Sequence, residues 1–218
     1  MNFQGIFDFG RSAAGQLLSS VEYPWEALDL MGEYIMRIGR SLDKERYRKY
    51  GEGIWIAKSA AVGDGAKLKS PLIVGEGSVI DSSAYLRGGV IIGRDCLVGK
   101  NAEIKNSVLF DGAQAQHSNY VGDSFIGHKA QLGAGAVISN LRADRGEVVC
   151  FLGSESINSK RKRLGALVGD FAEIGCSSII QAGTVISRSA RIQPLTRAHG
   201  FVAEGSIYRG ESILSDIL

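Results

Sequence analysis

A chain of 218 residues with a formal net charge of +2 is large enough for one main core and too weakly charged to hold nucleic acid by its overall field. Its hydrophobic share of 44% and charged share of 22% fit an ordinary globular domain, so an anionic ligand has to be held by local groups. No stretch approaches the roughly 20 apolar residues that cross a bilayer, and no basic run followed by an apolar one opens the chain. A cytoplasmic location without membrane contact is the expectation. Cys96, Cys150 and Cys176 are odd in number and widely spaced, which reads as free, buried or half-buried thiols used for packing.

Residues 1–50 read as an N-terminal helical segment. Pro24 suits the first turn of a helix, where its missing N–H costs nothing, and Trp25, Leu28, Met31, Ile35 and Ile38 recur at helical spacing. The spacing predicts a helix over about 24–39. The basic, tyrosine-containing run from Lys44 to Tyr50 reads as a solvated helix end or linker.

From there a period of six takes over. Ile56, Val62, Leu68, Val74, Ile80, Leu86, Ile92, Val98, Ile104 and Phe110 fall six residues apart, and Gly follows the aliphatic residue at 63, 75, 93 and 99. Such hexapeptides each supply one short strand and one corner, with the aliphatic side chain inward. The pattern predicts a mainly β chain: a left-handed parallel β-helix over 51–200, its handedness taken from the hexapeptide resemblance. Three hexads make one coil, so residues 18 apart become neighbours on rungs about 4.8 Å apart. About 20 hexads give roughly six to seven coils.

The phase slips around Gln116, which takes an expected inward place, with Val121 and Ile126 following at five-residue steps. A second block, Val168, Ile174, Ile180, Ile186 and Ile192, resumes after an excursion at about 140–166 that has to leave the prism as a loop or hairpin. Residues 201–218 read as a C-terminal tail.

Arg87 and Lys105 follow inward residues 18 positions apart. Two stacked cations repel, so either an anion such as phosphate lies between them or each is solvated separately. His117 sits at the slip, where it reads as a general base for an attacking amine or as a local hydrogen-bonding answer to the distortion. Lys160, Arg161, Lys162 and Arg163 form a basic run that reads as a solvated loop or as a contact for cofactor phosphates. His128 and His199 sit in ordinary repeat and post-repeat positions, and no metal site is expected from them. No P-loop spacing occurs.

The stretches L-R-G-G-V-I-I-G, K-N-A-E-I-K-N-S, H-S-N-Y-V-G-D-S-F-I-G and L-G-A-G-A-V-I-S-N-L-R, between Leu86 and Arg142, resemble the acetyltransferase domain of glucosamine-1-phosphate N-acetyltransferases. They look still closer to the archaeal sugar-1-phosphate nucleotidylyltransferases that carry such a domain. The resemblance implies acetyl-CoA as co-substrate and an amino-sugar phosphate, foremost glucosamine 1-phosphate, as acceptor. It implies His117 as base with Glu103 as its orienting partner, Arg87, Lys105, Tyr120 and Asn140 on the sugar phosphate, and Ala134 at acetyl-CoA. It also implies a homotrimer with sites between prisms. Gln131 replaces an asparagine of the family pattern, and no nucleotidylyltransferase signature is present, so acetylation alone is the expected activity. A non-catalytic sugar-nucleotide-binding or regulatory module, or an acyltransferase for another amino sugar or a UDP-sugar, are the alternatives.

Overall fold

An aliphatic residue at every sixth position can be buried throughout only if the chain turns a corner between repeats. The computed structural model, which describes residues 3–210, shows this arrangement. Strands of two to four residues wind around three flat faces, each strand in parallel register with the one a coil below. Face A runs from Ile54–Ala57 to Phe201–Val202, face B from Ala61–Val62 to Ile207–Tyr208, and face C from Lys67–Leu68 to Arg197–Ala198. Faces A and B carry eight parallel strands each and face C seven. The prism is thus longer than the six to seven coils expected, because the repeat continues through Tyr208. The expected tail at 201–218 is corrected accordingly, and its last residues, 211–218, lie outside the described residues.

The interior is the aliphatic column that the spacing predicts. Ile56, Val74, Ile80, Leu86, Ile92, Val98 and Ile104 share one core with Val168, Ile174, Ile180, Ile186 and Ile192. One of the two expected five-residue steps, Val121 to Ile126, is present, and the other lies earlier than the sequence suggests. Leu109 pairs with Ile92 and Val121 with Ile104, which makes coils of 17 residues rather than 18. The five-residue steps are therefore Ile104 to Leu109 and Val121 to Ile126, and both turn the corner from face C to face A. Phe110 does not point inward but joins an outer core, and Ala115, not Gln116, fills the inward place.

Face A is buried on both sides, which explains its runs of consecutive apolar residues such as Leu72-Ile73-Val74 and Val90-Ile91-Ile92. Its outer side packs against α1 (Gly15–Leu18) and α2 (Ala27–Ser41) through Leu17, Trp25, Leu28, Met31 and Ile35. A short 3-10 turn, Pro24–Glu26, leads into α2, which runs slightly beyond the predicted residue 39. Gly39 lets α2 lie directly on Trp55: a Cβ there would stand 2.3 Å from the indole ring. Backbone bonds fasten the segment further, from the Asp8 N–H to Asp170 Oδ2 at 2.8 Å and from the Asp111 N–H to Arg11 O at 2.9 Å. Phe7 stacks on Phe110 with ring centroids 5.2 Å apart. The N-terminal segment therefore shares a core with the prism. Residues 47–51 form a strand, Tyr47–Gly51, antiparallel to Ile54–Ala57, in place of the expected helix end or linker.

The excursion leaves face C after Ile138 and returns to face A at Leu167. It contains the hairpin Val149–Leu152 and Glu155–Asn158, whose Cys150 and Leu152 pack into the outer core beside Val148 and Leu164. Cys96 and Cys150 are buried free thiols, as expected, whereas Cys176 is exposed, so the packing role expected of it is corrected. No described helix is long and apolar enough to cross a membrane.

Candidate active site

With face A covered, the remaining chemistry is displayed on faces B and C and on the corner between them. His117 ends the strand Gln114–His117 of face B and opens that corner. Its side chain is exposed, and its backbone N–H donates to Asn119 Oδ1 at 3.0 Å. Asn119 is buried and spans the corner, its amide donating to Gly133 O at 2.8 Å and Ala136 O at 3.2 Å. The Gly135 N–H in turn donates to His117 O at 2.8 Å. The backbone of His117 is thus fixed from two coils while the imidazole makes no hydrogen bond to another described residue.

That imidazole borders a groove of about 480 Å³ on face B. The glycine-rich edge Gly133-Ala134 and Gly175 forms one wall, and Gln131, Glu173 and Arg191 project from successive rungs. His117 and Ala134 therefore share one cavity. Glu173 and Arg191 face each other at 3.4 Å. They went unnoticed in the sequence because outward repeat positions are usually polar whatever their role.

Around the corner, Tyr85, Glu103 and Tyr120 stack on face C, with Arg87 and Lys105 two residues further along their strands. Arg87 and Lys105 do occupy adjacent rungs, but a carboxylate accompanies each. The Arg87 guanidinium meets Glu103 at 2.7 Å, and the Lys105 ammonium stands 3.5 Å from Asp123. Repulsion between the stacked cations is relieved within the chain, so an intervening anion is not required to explain them. Within the chain Glu103 is engaged by Arg87 and makes no hydrogen bond to His117.

Asp123 is the residue that sequence reasoning missed. It lies at the short corner from face C to face A, its side chain only 4% exposed. Asn106 donates to its Oδ1 at 2.8 Å, and the Asn140 amide donates to its Oδ2. Tyr120 lies beside this group, its hydroxyl and the Asn140 amide both bordering Gly122. Burial, followed by the negative charges of Asp123 and Glu103, pushes its phenol above the ordinary tyrosine range. Arg87, Lys105, Tyr120 and Asn140 are thereby brought into one cluster.

The basic run is placed elsewhere. Arg161 pairs with Asp29 of α2, and its Nε donates to Arg163 O at 3.2 Å, so it fastens the excursion to the helix. Lys160, Arg161 and Lys162 do not line the groove that holds His117 and Ala134 within one chain. His128 belongs to the corner between faces A and B, with Nδ1 2.6 Å from Asp111 O and its ring edge-on to Phe171 at 5.3 Å. His199 lies far from it along the chain and lines a separate cavity beside the hairpin, with Phe151, Ile179 and Arg142. Burial pushes the thiols of Cys96 and Cys150 up to about 12, which removes both as nucleophiles near neutral pH.

A three-faced parallel coil of hexapeptides defines a hexapeptide-repeat β-helix, here with a histidine bordering a glycine-edged groove. Residues 68–165 match the GMPPB C-terminal domain. The chain is 34% identical over 166 residues to the bifunctional sugar-1-phosphate nucleotidylyltransferase/acetyltransferase of Sulfurisphaera tokodaii, covering 68% of this chain and 41% of that protein. It is 28% identical over 152 residues to the bifunctional protein GlmU of Clostridioides difficile, covering 68% of this chain and 27% of that one. Among solved structures, the acetyltransferase domain of PglB from Neisseria gonorrhoeae, in complex with acetyl coenzyme A, aligns with a TM-score of 0.33 at 17% identity, over 61% of this chain and 53% of that one. The chain spans less than half the length of these curated relatives. Over these spans the chain is similar to the C-terminal part shared by these sugar-1-phosphate nucleotidylyltransferase/acetyltransferases.

Proposed function

We propose that the chain transfers an acetyl group from acetyl-CoA to the amine of an amino-sugar 1-phosphate, foremost glucosamine 1-phosphate. The observation that carries this reading is the juxtaposition at one corner: an exposed imidazole with a fixed backbone, bordering the groove that contains Ala134, and a cluster of paired cations on the adjoining face. The S. tokodaii relative, which joins a sugar-1-phosphate nucleotidylyltransferase to an acetyltransferase, supports the substrate class.

In this reading acetyl-CoA supplies a thioester, and the amine forms the new C–N bond as the C–S bond breaks and CoA departs. His117 accepts the proton lost by the amine, because a protonated amine has no lone pair to attack with. Its tethered backbone keeps the imidazole at the mouth of the groove, and the Ala134 N–H is the donor this edge offers to the developing oxyanion. Arg87, Lys105, Tyr120 and Asn140 hold the phosphorylated sugar. No acyl-enzyme is formed.

The site is completed by association. Face A is already covered by the N-terminal segment and hairpin, so faces B and C are the surfaces left for other copies, and they expose Val79, Ile179 and Ile207. A homotrimer with sites between prisms is the arrangement we propose. Release of free CoA, measured against glucosamine 1-phosphate, glucosamine and a panel of UDP-amino sugars, tests the function. Turnover is expected with glucosamine 1-phosphate and at most slight turnover with glucosamine. No CoA release with any phosphorylated amino sugar refutes the reading.

A further inference from the structure

The short corner between faces C and A contains a column that an 18-residue coil could not form. Asn106, Asp123 and Asn140 are each 17 residues apart, so the five-residue steps put them directly above one another. Asn106 and Asp123 adopt φ of +44° and +49°, a left-handed conformation that Asn and Asp tolerate better than most residues. The two amides point their N–H donors at one carboxylate from opposite rungs. Gly89, at φ +64°, continues the column below: a Cβ there would stand 2.8 Å from Asn106 Oδ1.

Asp123 thus accepts from both amides in a nearly closed corner, and the nearby cation is Lys105, itself only 26% exposed along its side chain. A lysine is a flexible four-carbon stem with a compact charge, and ordering it at the moment of ligand binding costs rotamer entropy. A carboxylate that already holds the ammonium removes much of that cost. The same carboxylate fixes which face Asn140 presents, because both of its oxygens accept from amide N–H groups and so set the orientation of the amides around them. Tyr120 borders the same amide beside Gly122.

We infer that Asp123 is a positioning residue of the acceptor site, holding the Lys105 ammonium and the Asn140 amide ready for the acceptor's phosphate. This inference rests on the proposed acetylation of an amino-sugar phosphate. Asp123 acts through its neighbours and takes no part in the proton transfer at His117.

The test is Asp123→Asn, which keeps size and tolerance of the left-handed backbone while removing the charge. An asparagine also sets an N–H donor against the donors of Asn106 and Asn140, so one amide has to turn over. KM for glucosamine 1-phosphate is expected to rise about tenfold, with kcat changed by less than about threefold and KM for acetyl-CoA unchanged. Part of the effect passes through Lys105, so adding Asp123→Asn to Lys105→Met is expected to raise that KM by clearly less than the roughly tenfold rise in the wild-type background, the remainder passing through Asn140. Asp123→Glu, which retains the charge but displaces it by one methylene, is expected to fall between the wild type and Asp123→Asn. An unchanged or lowered KM in Asp123→Asn, full additivity with Lys105→Met, or loss of cooperative melting in both Asp123 variants overturns the inference. A wild-type chain inactive on every phosphorylated amino sugar defeats the functional reading instead, and is distinguishable because no variant is needed to see it.

Discussion

Replacing His117 with alanine separates two roles that a histidine at a broken repeat could play. The imidazole is exposed and makes no hydrogen bond to a described residue, and the backbone bond to Asn119 Oδ1 survives the change. Stability should stay within about 0.5 kcal/mol of wild type, the usual range for a surface substitution. Removing a general base should lower kcat by about 10²-fold or more, with KM for acetyl-CoA nearly unchanged. Asn119→Ala is the contrasting perturbation. It deletes the amide bonds to Gly133 O and Ala136 O and leaves buried carbonyls without that partner. At about 1 kcal/mol for each lost bond plus the cost of unsatisfied groups, the loss is roughly 2–4 kcal/mol. For a chain of this size that lowers Tm by roughly 5–15 °C. Thermal melting and CoA release measured on both variants give the answer. A His117→Ala chain that stays folded with near-normal kcat refutes the general-base role, and one destabilised as much as Asn119→Ala shows the imidazole to be a structural part of the corner.

Arg87→Ala should raise KM for glucosamine 1-phosphate far more than for glucosamine, and equal effects on both would remove the phosphate role. Thiol labelling of the native protein near neutral pH should modify the exposed Cys176 and spare Cys96 and Cys150, whose thiols burial has pushed up to about 12. Both buried cysteines should label only on unfolding, and fast native labelling would contradict the inner core at Cys96 or the outer core at Cys150. Solution mass should correspond to three chains, and a strictly monomeric active enzyme at micromolar concentration would contradict sites between prisms.

The β-helix itself was legible in the amino-acid sequence because its period is local. Each inward residue from Ile56 to Ile104 is defined by its spacing along the chain, and a run of equal steps leaves little freedom in how coils stack. The same regularity put Arg87 and Lys105 on adjacent rungs, and the return of the repeat at Val168 marked the excursion. The sites of Glu103, Tyr120, Asn140 and Ala134 came from family resemblance, since an outward polar residue carries no periodic signal.

Tertiary structure decided what depends on small offsets and on distant segments. The sequence shows that a step is missing near Gln116, but aliphatic and small residues can both fill an inward place, so only the observed register assigns the slip to the corners after Ile104 and Val121. That shift of one residue is what stacks Asp123 between Asn106 and Asn140, turning an ordinary polar corner residue into a buried carboxylate. Partner choice among charges is likewise settled in space: Glu103 goes to Arg87 rather than to His117, and Arg161 goes to Asp29 of α2. A helical period can announce that α2 has an apolar stripe, but not what it packs on. Only the fold shows that this stripe covers face A, leaving faces B and C for the chemistry, because burial is a property of surfaces that residues far apart in sequence build together.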